Sequence, residues 1–157
     1  MQILVVGGTG PTGVPLVNRL LAAGHEVAIF HSGAHPAEFA GPVERIFGNA
    51  RDAEDIAEKL GDRQWDVAVC MYGRLRALAE HLTGRVGRLV GITGQPVYKG
   101  AMPPTPEGRI PLPVPEFAER QYDAQDYTGK VAAGEDQLFE HHGRGDFEVV
   151  ILRYPGV

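Results

Sequence analysis

Gly7-Gly8-Thr9-Gly10-Pro11-Thr12-Gly13 follows the apolar run Ile3-Leu4-Val5-Val6 and opens an amphipathic stretch. A glycine-rich turn between a strand and a helix is the order of parts that holds a dinucleotide pyrophosphate. Gly10 lets backbone approach a phosphate with no side chain in the way, and a helix starting near Pro11 aims free amides and its positive dipole end at that anion. Glycines at 7, 10 and 13 depart from the general G-x-G-x-x-G spacing, while Gly8 keeps the turn permissive. Pro11 suits a first helical turn, and Val14, Val17, Leu20 and Leu21 recur at helical spacing up to Gly24.

The elements that must position this loop are readable along the chain. Strand-like runs occur at 3–7, 26–30, 43–47, 66–70, 88–92 and 147–153, with helix-like segments near 11–23, 53–60, 74–83 and 130–142. That alternation predicts a parallel sheet covered on both faces. Ile56 and Leu60, then Leu75, Leu78 and Leu82, supply apolar stripes for the helices. Between 94 and 129, Pro96, Pro103, Pro104, Pro106, Pro111, Pro113 and Pro115 argue against regular structure and point to a substrate-covering loop.

The 157 residues make one domain by length, enough to bury about 70% of the unfolded chain's surface. A net charge of −5 with scattered basic residues leaves no footprint for nucleic acid or an anionic membrane, so a small-molecule partner is expected. Cys70 is the one cysteine, read as a buried strand thiol. No run approaches the ~20 apolar residues of a membrane span, and a cytoplasmic location is expected. His141-His142 lacks a companion acid or cysteine array and reads as a helix-end cap, so no metal site is expected.

Taken together, Gly7-x-x-Gly10-x-x-Gly13, Phe30-His31-Ser32-Gly33, Gly48-Asn49-Ala50-Arg51-Asp52, Gly91-Ile92-Thr93-Gly94, Lys130 and Leu152-Arg153-Tyr154-Pro155-Gly156 resemble the NAD-dependent epimerase/dehydratase family. This is the extended branch of the short-chain dehydrogenase/reductase superfamily, and the resemblance runs the length of the chain. It implies a doubly wound Rossmann sheet in order 3-2-1-4-5-6, with NAD or NADP across the carboxyl ends of the strands. The cofactor-binding positions are then Gly7, Thr9, Gly10, Pro11, Thr12, Gly13, His31, Ser32, Asn49, Ala50, Met71 and Tyr72. Asn49 stands where the family places an acid against the adenine amino group, and an amide can accept there while donating to a ring nitrogen. After the second strand, His31 and Ser32 replace both the acid that selects NAD and the Arg that selects NADP, leaving the choice open.

The resemblance also implies a Ser/Thr, Tyr and Lys arrangement in which the phenol exchanges a proton while hydride moves at the nicotinamide. Lys130 as the family lysine puts Asp126 four residues earlier, where the tyrosine belongs, with Tyr127 beside it. Tyr127 or Asp126 is therefore the candidate acid/base, Lys130 its partner and Thr93 the hydroxyl donor, although the family's hydroxyl position falls on Gly94. Two functions follow: an epimerase, dehydratase or reductase acting on a nucleotide sugar or small carbonyl compound, or a nucleotide-binding module, sensor or partner subunit without turnover. The family's substrate-binding lobe is expected to be absent or truncated here, and an uncovered sixth strand invites pairing into a homodimer.

Overall fold

The computed structural model describes residues 1–71, 75–99, 114–122 and 127–154; the side chains of Met71, Tyr127 and Thr128 lie outside that description. Six strands, β1 (Gln2–Val6), β2 (Glu26–His31), β3 (Glu44–Phe47), β4 (Trp65–Met71), β5 (Val86–Gly94) and β6 (Glu148–Tyr154), form one sheet in the order β3-β2-β1-β4-β5-β6. Every pairing is parallel, with Ile3 opposite both Val27 and Val67, and Thr93 opposite Arg153. The chain starts at the centre, winds outward through β3, then crosses to β4 and winds the other way. That reversal leaves a crevice at the carboxyl ends of β1 and β4, where such sheets take ligands.

Helices α2 (Ala53–Leu60), α3 (Leu75–Leu82) and α4 (Tyr127–Arg144) cover one face. Ile56, Leu60, Leu78 and Leu82 are fully buried there against Leu4, Phe30, Ala68 and Leu89. The stripes at helical spacing are the residues that meet the sheet. Asp52 caps α2 by accepting from the Glu54 and Asp55 amides. Cys70 is buried in the same layer.

The opposite face carries α1 (Gly13–Ala22), whose Val17 packs on Ile3, Val5, Val27 and Ile29, and the connection after β2, which adds Phe39 and Val43. Beyond α1 an apolar groove of about 350 Å³ runs over Val67, Val69, Val90, Ile92 and Leu152. At the sheet's edge, β6 alternates strictly: Val149, Ile151 and Arg153 are half-buried, while Val150, Leu152 and Tyr154 are exposed.

Some boundaries differ from the sequence expectation. Helix α1 begins at Gly13, so Pro11 precedes the helix, in the turn closed by the Gly13 and Val14 amides on the Gly10 carbonyl at 3.0 and 3.1 Å. Regular structure also enters both ends of the proline-rich segment. Gln95–Val97 form a 3-10 turn, Tyr98 bridges Arg120 in antiparallel fashion, and α4 starts at Tyr127. Val114 and Ala118 pack on Val97, Tyr98, Val131 and Ala132, so residues 114–122 are a strap with a small apolar core beneath it. Among the described residues, no helix is long and apolar enough to cross a membrane.

Candidate dinucleotide site

The loop between β1 and α1 depends on backbone that only glycine takes readily. Gly7 and Gly8 have φ of 98° and 84°, and the Gly7 amide donates to the Phe30 carbonyl at 2.8 Å, fixing the loop to β2. At Gly13 an added Cβ would lie 2.6 Å from the Gly8 carbonyl carbon and 2.7 Å from its Cα, whereas a Cβ on Gly10 meets nothing within 4 Å. The first helical turn therefore closes onto the loop, and the space over Gly10 stays open. Helix α1 has no acid in its first turn, and Thr12 makes no side-chain capping bond, so its amino end keeps its positive character. Thr9 is half-buried; Gly10, Pro11 and Thr12 are exposed. These residues fit a bound pyrophosphate.

At the end of β2, the His31 ring is buried, with its centroid 4.9 Å from Phe47 of β3. The Gly33 amide donates to His31 Nδ1 at 3.3 Å, which assigns the ring proton to Nε2, a buried atom with no hydrogen-bond partner in the structure. Burial, then the nearby Arg45 guanidinium, lower the His31 pKa from its ordinary value, so the ring is neutral at pH 7 and brings no charge to a 2′-phosphate. Arg45 itself donates to the Ala37 carbonyl at 2.6 Å and lies over the Phe39 ring. Ser32 is exposed, its hydroxyl accepting from the Ala34 amide at 3.4 Å.

Asn49 forms an Asx turn in which its Oδ1 accepts from the Arg51 amide at 3.1 Å, leaving its NH₂ as the outward donor. Ala50 is buried in the sheet-helix core next to that turn. Met71 ends β4 opposite Ile92, and Tyr72 lies outside the described residues.

Of the proposed catalytic residues, Thr93 and Lys130 have described side chains. Thr93 is fully buried, and its hydroxyl donates to Glu135 Oε1 of α4 at 2.6 Å. A Cβ on Gly94 would stand 3.1 Å from the Tyr154 carbonyl oxygen and 3.2 Å from Pro96 Cδ, so position 94 has little room for a side chain. Tyr127 is the first residue of α4, Lys130 is exposed one turn on, and Asp126 lies outside the described residues. The residue four positions after Tyr127 is Val131, buried under the strap.

Glu135 carries no mark in the sequence beyond its place in an otherwise small and apolar stretch of α4, yet it organises this end of the sheet. Its fully buried carboxylate takes bonds from Arg153 Nη2 at 2.7 Å, Arg120 Nη2 at 3.0 Å and Thr93. Arg153 reaches outward as well, donating to Tyr98 Oη at 2.9 Å and Glu116 Oε2 at 2.5 Å. Arg120 also bonds the Ala132 carbonyl at 3.0 Å and the Asp136 carboxylate. Glu135 raises the Arg153 pKa further above its ordinary value against the cost of burial, keeping the guanidinium charged.

At the far end of α4, His141 is buried, with Nδ1 2.8 Å from Asp146 Oδ2 and its ring stacked 5.2 Å from Phe147. Both His141 and His142 lie in the last turn of α4, and the His141 ring is engaged with the Asp146 side chain. Among the described residues, no group of three or more metal-ligating side chains forms. A wide depression of about 1110 Å³ beside Arg63 and Trp65 lies at the amino ends of β1 and β2, remote from the glycine loop.

Comparison with known proteins places this architecture. No protein-family model matches the chain, and no curated protein matches it in sequence. Solved structures do match in shape. UDP-glucose 4-epimerase from Thermus thermophilus, in complex with NAD, superposes with a TM-score of 0.77 at 21% identity, over 98% of this chain and 55% of that one. UDP-glucose 4-epimerase from Thermotoga maritima, with UDP-glucose, gives 0.79 at 16% identity, over 98% and 55%. Vestitone reductase from alfalfa gives 0.69 at 12% identity, over 97% and 56%. The chain spans about half the length of these structures, and what it shares with them is the Rossmann-like fold.

Proposed function

We propose that this chain is the NAD(P)-binding part of an epimerase- or reductase-like protein that acts on a nucleotide sugar or a small carbonyl compound. The observation that carries the reading is the loop from Gly7 to Gly13, closed by Gly13 on Gly8, open above Gly10 and followed by a helix start free of acids. The nucleotide sugar is supported by structures of the same fold described with UDP or UDP-glucose.

In this reading the amides at the start of α1 hold the pyrophosphate, Thr12 adds a hydroxyl, and the Asn49 NH₂ meets the adenine ring. His31 and Ser32 border the adenosine ribose, and the neutral His31 ring favours a ribose hydroxyl over a phosphate, hence NAD. When bound, the cofactor supplies hydride exchange at its nicotinamide ring. Tyr127 or Asp126, aided by Lys130, would move the substrate proton. A second reading, a binding module without turnover, is favoured by the Thr93 hydroxyl being committed to Glu135.

The test is a titration of the purified chain with NADH and NADPH, followed by nicotinamide fluorescence, with Gly10→Asp as control. Saturable binding that the substitution abolishes, tighter for NADH, is expected. Failure of both ligands to bind at about millimolar concentration, which corresponds to roughly −4 kcal/mol, refutes the reading for this chain. Transfer of hydride to or from the bound cofactor on adding UDP-glucose separates the enzyme from the module.

A further inference from the structure

We propose that Arg153 and Tyr98 form an oxyanion-binding site, for a phosphate or carboxylate of a ligand, which Glu116 of the strap occupies from within the chain. The inference stands on geometry at the carboxyl end of β5 and β6 and does not depend on the dinucleotide reading. Its basis is how the acids around the two guanidiniums are held. The buried centre holds one carboxylate, Glu135, and two guanidiniums, Arg120 and Arg153. Two outer acids complete the cluster, Asp136 on Arg120 and Glu116 on Arg153, so Glu135 and Asp136 alone balance the two guanidiniums and Glu116 is the acid an external oxyanion can replace without changing the net charge.

Those two acids differ in how they are held. Asp136 is on α4, next to Glu135 in the chain, so its backbone is held by the helix. Glu116 comes from the strap, its side chain is 84% exposed, and its carboxylate reaches inward to Arg153 Nη1 at 2.5 Å and Tyr98 Oη at 3.4 Å. Tyr98 accepts from Arg153 at 2.9 Å, so its own proton is directed at whatever oxyanion sits in front of the pair. Arg153 and Tyr98 are both largely buried and fixed by their neighbours, which makes a preorganised guanidinium-phenol pair with a replaceable occupant.

The strap survives the exchange. Arg120 still ties it to α4, and the Lys99 amide to the Glu119 carbonyl at 2.9 Å and the Gln121 amide to the Val97 carbonyl at 2.8 Å still pair it with the segment after β5. An incoming anion therefore frees the outer edge of the strap and leaves its inner edge in place. Because Glu116 competes for the site, the apparent affinity for a free anion is reduced by the fraction of molecules in which the site is masked.

The experiment is an NMR titration of the whole ¹⁵N-labelled chain with inorganic phosphate, and separately with acetate, following the backbone amides. Glu116→Gln is compared with Glu119→Gln, which removes the same charge from the same strap but from an acid paired with Lys99 at 2.8 Å. Both side chains are exposed, so both variants are expected to fold. The proposal requires saturable shifts at residues 114–122 and around Arg153, about three- to fivefold tighter in Glu116→Gln and unchanged in Glu119→Gln, the range that loss of an exposed ion pair supplies. Phosphate binding with weak acetate binding marks a phosphoryl ligand, and the reverse marks a carboxylate. Equal affinities in the two variants, no saturable shift, or shifts confined to the Gly7–Gly13 amides would overturn it.

Discussion

Replacing Gly13 by Ala tests whether the loop is shaped by backbone contact. The new Cβ would meet the Gly8 carbonyl carbon at 2.6 Å and its Cα and oxygen at 2.7 Å, all of them backbone atoms with no rotamer to change. Carbon atoms settle at about 3.5–4.0 Å, so Gly8 must retreat by roughly 1 Å. Its φ of 84° and the bond from Gly7 to the Phe30 carbonyl resist that movement. Overpacking of this kind costs about 1–3 kcal/mol, and the better helix propensity of Ala returns up to about 1 kcal/mol. A net loss of about 1–2 kcal/mol lowers Tm by roughly 2–8 °C for a chain of this size. Gly10→Ala is the matched control, because its Cβ meets nothing. The pair should separate cleanly: Gly13→Ala unfolds earlier and binds NADH more weakly, whereas Gly10→Ala unfolds like the parent and loses binding alone. Differential scanning calorimetry and the fluorescence titration read the two effects. A Gly13→Ala protein with the parent's Tm and the parent's affinity would refute the close-contact argument.

Further outcomes follow from the same geometry. Burial and neighbouring guanidiniums lower the pKa of His31 and His81 in the folded chain, so the unfolded chain binds more protons just below its ordinary histidine pKa of ~6.5. Their contribution is complete above that value and is lost as pH falls through the folded pKa; urea titrations from pH 7 to pH 5 should show stability falling, with a shallower fall in His31→Gln. Asp146 is depressed first by its bond from His141 and then by Arg144, against the effect of burial, so its contribution holds above the ordinary carboxylate pKa and disappears only in stronger acid; Asp146→Asn should flatten the acid limb of unfolding below about pH 4. Thr93→Val removes one of the bonds to buried Glu135 and should cost about 1–2 kcal/mol in urea unfolding while NADH affinity stays unchanged; loss of affinity would instead place the hydroxyl at the cofactor. Leu78→Ala empties a fully buried site in the α3 layer and should cost about 2–5 kcal/mol by the same assay.

The sheet was legible because each element carries its own local pattern. Ile3 to Val6 and Val67 to Cys70 are short apolar runs, and the helical stripes of α2 and α3 are complete within one segment each. The glycine loop was legible for the same reason, since turn and first helical residue are neighbours in sequence. Other features depend on partners distant in the chain. Glu135 is buried only because Arg120 and Arg153, 15 and 18 residues away, bring charge to it. Nothing within Val131-Ala132-Ala133-Gly134 announces that. His31 stands out as an ionisable residue at the end of β2, but its lowered pKa comes from burial and Arg45 on the next strand. The proline count in 94–129 hid the strap, because the bridge joins Tyr98, which follows Pro96, to Arg120, which follows Pro115, and so avoids the prolines themselves.

The uneven dressing of the sheet has a consequence for exchange of its amide protons with solvent. Strands β1 and β4 lie between parallel neighbours on both sides, so their amides open only with global unfolding and should exchange slowest. Among the described residues, strand β6 has one ladder neighbour, and its exposed row of Val150, Leu152 and Tyr154 gives little shelter on the α1 face. Its outward-facing amides should exchange orders of magnitude faster than those of β1. Any strand that adds to this edge, from a second copy or another chain, would write itself into the protection pattern of β6 before it changed any other observable.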